Sequence, residues 1–210
     1  MAKLHFFYST MNAGKSTALL QSNHNYLESN LNTLLFIPEQ IGNKSNGKII
    51  SRIGLNADAT VIDDKYDFYE EIKKSNFKDI SCIFVDEAQF ITQNQVHSLG
   101  KIADELNIPV MCYGIRTDFQ GKLFEGSQEL LALADNLKEL KTICSMCDKK
   151  ATMVVRLDKN GKVLLEGEKV LIGGATDGIG WSSAKLFAEN GAEVIPVSYT
   201  HLTLPTTMLV

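Results

Sequence analysis

The chain has 210 residues, of which 44% are hydrophobic and 22% charged, and a formal net charge of -4. That composition suits a soluble globular protein with one good core and a small appendage. It excludes broad nucleic-acid binding, which needs a basic face, and no apolar run reaches the length of a membrane span.

Short apolar runs alternate with helix-length segments along the first two thirds of the chain. Leu4–Tyr8, Thr33–Ile37, Ile80–Val85 and Pro109–Tyr113 read as buried strands, rich in β-branched and aromatic residues. Lys15–Ser29, Tyr66–Ser75, Thr92–Asn107 and Ser127–Asp135 carry helical spacing; Leu99, Ile102, Ala103 and Leu106 fall on one face. Alternation of this kind predicts a doubly wound parallel sheet of the α/β class. After Asp135 the character changes to a β-rich stretch, Ala151–Leu157, followed by Asn160-Gly161, a strong hairpin signal. A small second domain is expected there. The N-terminus carries no charged region followed by a long apolar one, so no signal peptide is expected, and the cytoplasm is the expected location.

The first strand runs into "STMNAGKST", residues 9–17. A strand, a small polar loop and Gly14-Lys15-Ser16 at a helix start form an anion-binding device. Backbone N–H groups and the positive end of the helix dipole face a phosphate. Lys15 adds a full charge near the β- and γ-phosphates, and the Ser16 hydroxyl can bind Mg²⁺. Ser9 stands where the usual pattern has a glycine, so that turn is expected either to cost strain or to differ. The second half of the device is "CIFVDEAQF", residues 82–90, an apolar strand ending in two acids. Asp86 is the candidate to hold Mg²⁺ beside the loop, and Glu87, which cannot point the same way, is free to act as a base.

With these residues in view the chain resembles the thymidine kinases of many bacteria and of animal cytosol, built from a P-loop domain and a zinc-bearing lasso. The stretches that carry the resemblance are "YSTMNAGKSTALLQ", "SRIGL", "VDEAQF", "CYGIRTDFQGKLFEGSQ", "LKTICSMC" and "EGEKVLIGG", in order from Met1 to about Gly174. Bacterial members accept a serine at the first loop position. The resemblance implies transfer of the ATP γ-phosphate to the 5′-hydroxyl of thymidine. ATP and Mg²⁺ are then expected at Ser9, Thr10, Met11, Asn12, Ala13, Gly14, Lys15, Ser16, Thr17, Asp86 and Gln89. Glu87 is expected as the base and Arg52 as the arginine that steadies the moving phosphoryl group. Without the resemblance Arg52 reads as a solvated surface charge. Met11, Phe90, Ile115, Phe119 and Phe124 are expected to line the thymidine pocket, with Val170, Leu171, Ile172 and Gly173 closing over the base. A homotetramer is the implied assembly.

Cys144 and Cys147 form a C-x-x-C knuckle, half of a tetrahedral zinc site. The family's second Cys/His pair is missing: no cysteine follows Cys147, and the only later histidine is His201. An incomplete zinc site and a loose lasso are therefore expected. Cys82 and Cys112, inside apolar strands, read as core. His5, His24 and His97 read as surface or structural residues.

Residues 169–197 resemble the first β-α-β segment of a short-chain dehydrogenase, with Gly174, Gly178 and Gly180 matching its cofactor turn. The last stretch, "VSYTHLTLPTTMLV", resembles a translated sequencing-library adaptor. The expected organisation is thus a kinase domain over 1–140, a partial zinc/lasso domain over 141–174, a dehydrogenase-like fragment over 175–197 and an artefactual tail over 198–210. The alternatives are a P-loop ATPase of other function, an inactive chimera and a dinucleotide-binding oxidoreductase. About thirty residues cannot build a dinucleotide-binding sheet, which disfavours the last.

Overall fold

In a computed structural model, the residues described are 1–75, 77–144, 147, 149–157, 163–164, 169–173, 185, 188–189 and 193–197. Two units are present, Met1–Val154 and Val155–Val210. In chain order the first contains β1 (Leu4–Ser9), α1 (Lys15–Glu28), β2 (Asn32–Pro38), α2 (Glu39–Gly42), β3 (Lys48–Ile50), β4 (Asn56–Asp58) and β5 (Thr60–Ile62). There follow α3 (Phe68–Lys74), β6 (Ile80–Val85), α4 (Gln93–Lys101), β7 (Val110–Ile115), α5 (Glu125–Leu133) and β8 (Asn136–Glu139).

Six strands form one sheet in the order β5-β2-β6-β7-β1-β8, with every pairing parallel. The expected α/β class is correct, and its physical basis is visible along β6. Cys82 and Phe84 pack with Leu19 and Leu20 of α1 on one face. Ile83 and Val85 pack on the other with Phe68, Val96, Leu99 and Leu130 from α3, α4 and α5. These four of the six β6 side chains are fully buried. A strand covered on both faces is apolar throughout, which is why β6 was legible as a continuous run.

Local chemistry sets the helix ends. Asp67 accepts from the backbone N–H of Tyr69 (3.0 Å) and Glu70 (3.2 Å), so α3 begins at Phe68 rather than at Tyr66. Thr92 and Gln95 form a reciprocal capping box at the start of α4. That helix continues into a wider-wound stretch, Ile102–Leu106, which Asn107 closes in the left-handed conformation (φ 55°). Among the described residues no helix is long and apolar enough to cross a membrane.

In the second unit β9 (Arg156–Leu157) pairs antiparallel with β10 (Val163–Leu164), and β11 (Lys169–Gly173) pairs in parallel with β12 (Glu193–Val197). Asn160-Gly161, Gly174, Gly178, Gly180 and His201 lie outside the described residues.

Candidate active site

The carboxyl ends of β1, β6 and β7 converge, as they do around ligand sites of open parallel sheets. Ser9 is the last residue of β1, in register with Ile115 of β7, and is buried. Its backbone is ordinary strand. The left-handed turns fall instead on Asn12 (φ 66°) and Gly14 (φ 74°). The serine therefore carries none of the strain that a missing glycine implied: the turn lies further along the loop. Asparagine tolerates that conformation better than most residues, and glycine adopts it freely.

Lys15 folds back over this loop, donating to the Thr10 carbonyl (2.9 Å) and, more weakly, to Ser9 Oγ (3.4 Å). Burial pulls its ammonium below the ordinary value and Arg52 adds to this, while Glu87 and Asp86 push the other way. Such a cation is partly desolvated and held close to two acids.

Ser16 Oγ donates to Asp86 Oδ2 at 2.8 Å, joining the start of α1 to the end of β6. Asp86 is only 3% exposed, and its Oδ1 has no hydrogen-bond partner. Burial, and next the charge of Glu87, push its carboxyl up to about 6. An orphaned carboxylate oxygen beside a serine hydroxyl is the donor set of a hard divalent cation, so these residues fit Mg²⁺. Glu87 follows in a left-handed conformation (φ 50°, ψ 39°), with its carboxylate accepting from the Gln89 amide and lining the cavity described next. Positive φ costs a non-glycine residue on the order of 1 kcal/mol or more, and such strain gathers at working sites.

A cavity of about 520 Å³ spans the loop residues 11–17, Glu87, Gln89, Phe90, Ile115 and the segment 50–53. Arg52 is exposed at its rim. "SRIGL" is the tip of the β3–β4 hairpin: Ser51 N–H donates to the Leu55 carbonyl (2.8 Å) and Ser51 Oγ accepts from Leu55 N–H (3.0 Å). The hairpin also brings Ile50 and Ile53, both exposed, to the same cavity, which Ile41 of α2 lines as well. Sequence reading missed these three; isolated apolar residues in short elements leave no periodic signal. A second cleft of about 460 Å³, between Asp64–Glu70 and α4, contains none of the predicted site residues.

Of the predicted nucleoside pocket, Met11, Phe90 and Ile115 line the larger cavity. Phe124 meets Phe90 edge-on, with ring centroids 5.7 Å apart. Phe119 is half-buried on the loop between β7 and α5, which Asp118 closes by accepting from Gln120 N–H (2.8 Å) and Lys122 N–H (2.9 Å). Val170, Leu171, Ile172 and Gly173 form β11 of the second unit. Gln89 is buried, with its amide between Glu87 and the backbone of Ile115.

Cys144 and Cys147 sit at the end of the first unit, where Ile143 and Lys150 form an antiparallel bridge and Cys144 N–H donates to the Lys149 carbonyl (2.8 Å). Among the described residues no group of three or more His, Cys, Asp or Glu could hold a metal. Two thiols do not fit a closed zinc site. Cys82 and Cys112 are fully buried core, as expected. His97 pairs with Glu129 (2.9 Å) and His24 with Glu28 (3.3 Å).

Comparison with known proteins places these features in context. The family model described as thymidine kinase matches residues 2–177. The thymidine kinase of Mesorhizobium japonicum is 53% identical over 174 residues, covering 82% of this chain and 85% of its own. That of Mannheimia succiniciproducens is 53% identical over 175 residues (83% and 89%), and that of Agrobacterium fabrum 51% over 175 (83% and 90%).

Proposed function

The chain belongs to the thymidine kinase family and is an ATP-dependent nucleoside kinase; from that premise we propose how its residues divide the work. The γ-phosphate of ATP passes to the 5′-hydroxyl of thymidine, a salvage step that supplies a DNA precursor. Phosphoryl transfer asks a protein chiefly for positioning and charge neutralisation. The loop from Ser9 to Thr17 cradles the triphosphate through its backbone N–H groups and Lys15. Asp86 and Ser16 would hold Mg²⁺, which would supply positive charge against the triphosphate. Arg52, carried on the hairpin tip, reaches over the same cavity and steadies the charge of the transferred group.

Glu87 takes the proton of the 5′-hydroxyl. The observation that carries this is the division of the two adjacent acids. Asp86 is buried against Ser16, while Glu87 turns through positive φ into the cavity wall. Met11, Phe90, Ile115, Phe119 and Phe124 grip the base. In this reading the zinc site is incomplete, the enzyme is a cytoplasmic homotetramer, and authentic kinase runs to about Gly174. The end of the family match at residue 177 supports that last boundary. Residues beyond it are read as a dehydrogenase-like fragment and an adventitious tail.

The test is Glu87→Gln, which keeps shape and removes the base. MgATP binding stays at the wild-type level while kcat falls by roughly 10²–10⁴-fold, the range for a well-placed general base. Normal thymidine phosphorylation by that variant would remove Glu87 from the role. Thymidine-independent ATP hydrolysis at an undiminished rate would favour an ATPase of other function.

A further inference from the structure

Gln89 reads by position as one more ATP or Mg²⁺ contact, but its surroundings give it a different use. The side chain is 2% exposed. Its Oε1 accepts from the Ile115 backbone N–H at 3.0 Å, and its Nε2 donates to Glu87 Oε2 at 2.5 Å. The amide has only one possible orientation here. A backbone N–H can only donate, so it takes the oxygen, and the NH₂ is left to face the carboxylate.

The slot is built to the size of that amide. A Cβ at Gly114 would lie 2.8 Å from Gln89 Oε1 and 3.1 Å from Gln89 N, so β7 carries a glycine where any side chain would push the amide out. The far anchor is fixed as well: the Ile115 carbonyl accepts from Ser127 Oγ at 2.6 Å, and Ser127 is fully buried. The same Ile115 is in register with Ser9, the first residue of the phosphate loop. Gln89 thus ties the carboxylate that follows β6 to the strand lying between β6 and the loop-bearing β1.

We propose that Gln89 is a positioning residue for Glu87: its amide fixes the carboxylate relative to the phosphate loop and takes no part in holding the nucleotide. This rests on Glu87 being the base. A carboxylate on a strained backbone needs such a tether, because displacement of a reacting group by about 1 Å can cost on the order of 10²-fold in rate.

Two substitutions separate the contacts. Gln89→Met keeps the volume and loses both hydrogen bonds; Gln89→Glu keeps an acceptor for Ile115 N–H but replaces the donor facing Glu87. Both variants are assayed for kcat and for KM toward MgATP and thymidine, beside wild type and Glu87→Gln, with melting temperature and ADP binding as folding controls. The proposal expects kcat to fall at least about 10-fold in both, toward the ~10² limit for a misplaced group, with KM for MgATP unchanged. Wild-type kcat in Gln89→Glu would make the Ile115 contact the one that matters and overturn the proposal. So would a loss that appears only in KM for MgATP, which would make Gln89 a nucleotide ligand. If Gln89→Met fails to fold, Gln89→Glu carries the test; if neither folds, Gln89 is a residue of the fold and the proposal falls. An inactive Glu87→Gln beside a fully active Gln89→Met defeats the tether alone, whereas an active Glu87→Gln defeats the base assignment beneath it.

Discussion

Asp86 follows its strand with a carboxyl buried against the Ser16 hydroxyl. Its place beside the phosphate loop was legible, because an apolar strand ending in an acid lies downstream of Gly-Lys-Ser; its burial cost was not. Burial, and then repulsion from Glu87, raise its carboxyl from the ordinary 3.8 to about 6. A carboxyl raised on folding stabilises the fold while protonated. That contribution is complete below about 4 and disappears as the pH rises through about 6, a change on the order of 3 kcal/mol for a shift of about two units. Asp86→Asn is therefore expected to raise the melting temperature of the nucleotide-free, Mg²⁺-free protein at neutral pH, with little effect near pH 4. The same variant loses the Mg²⁺-dependent part of stabilisation by ATP. Thermal melts across pH check both, and a variant that melts below wild type at neutral pH would contradict the account. For Ser9 the sequence left two outcomes open, strain or a different turn, and the turn is different. A loop pattern records which residues stand where but not which carry positive φ, and here those are Asn12 and Gly14.

At the scale of elements, the reading worked wherever burial writes a pattern. From Cys82 to Val85 β6 is apolar because both its faces are covered, and α4 announces itself by Thr92 and its periodic face. It failed where elements are short or half-exposed. β5 has three residues, with Val61 partly open to solvent, and β8 is Asn-Leu-Lys-Glu, held by pairing with β1 rather than by apolar content. The hairpin that presents Arg52 has three residues per strand. Tertiary pairing, not local propensity, makes these strands.

The packing of α5 on the turn after Glu87 was equally invisible, since it depends on a contact between distant segments. A Cβ on Gly126 would come within 2.4 Å of the Ala88 carbonyl and 2.6 Å of that of Ile91. Gly126→Ala should cost roughly 1–3 kcal/mol by overpacking and lower kcat, because the turn it displaces carries Gln89. Gly100 in α4 has open space around its Cα. There alanine should be neutral or stabilise by about 0.5–1 kcal/mol. Equal melting temperatures for the two variants would contradict this packing.

For the whole molecule, the sheet order brings three carboxyl strand ends to one place, and the proposed division of labour rests on that convergence. The family was legible from combined motifs, and the match over residues 2–177 agrees with it. The ending was the hardest part to read. "EKVLIGG" suits two families, and the cysteines at 144 and 147 have no second pair to complete a metal site. The central claim is that the triphosphate at the start of α1 and the acid after β6 serve one sugar hydroxyl. Its most direct test is to incubate the protein with γ-labelled ATP, Mg²⁺ and thymidine and to follow the label. The account predicts label on the 5′-oxygen of thymidine, and none there when Lys15 is replaced by methionine. Label appearing only as inorganic phosphate, at the same rate with and without thymidine, would contradict it.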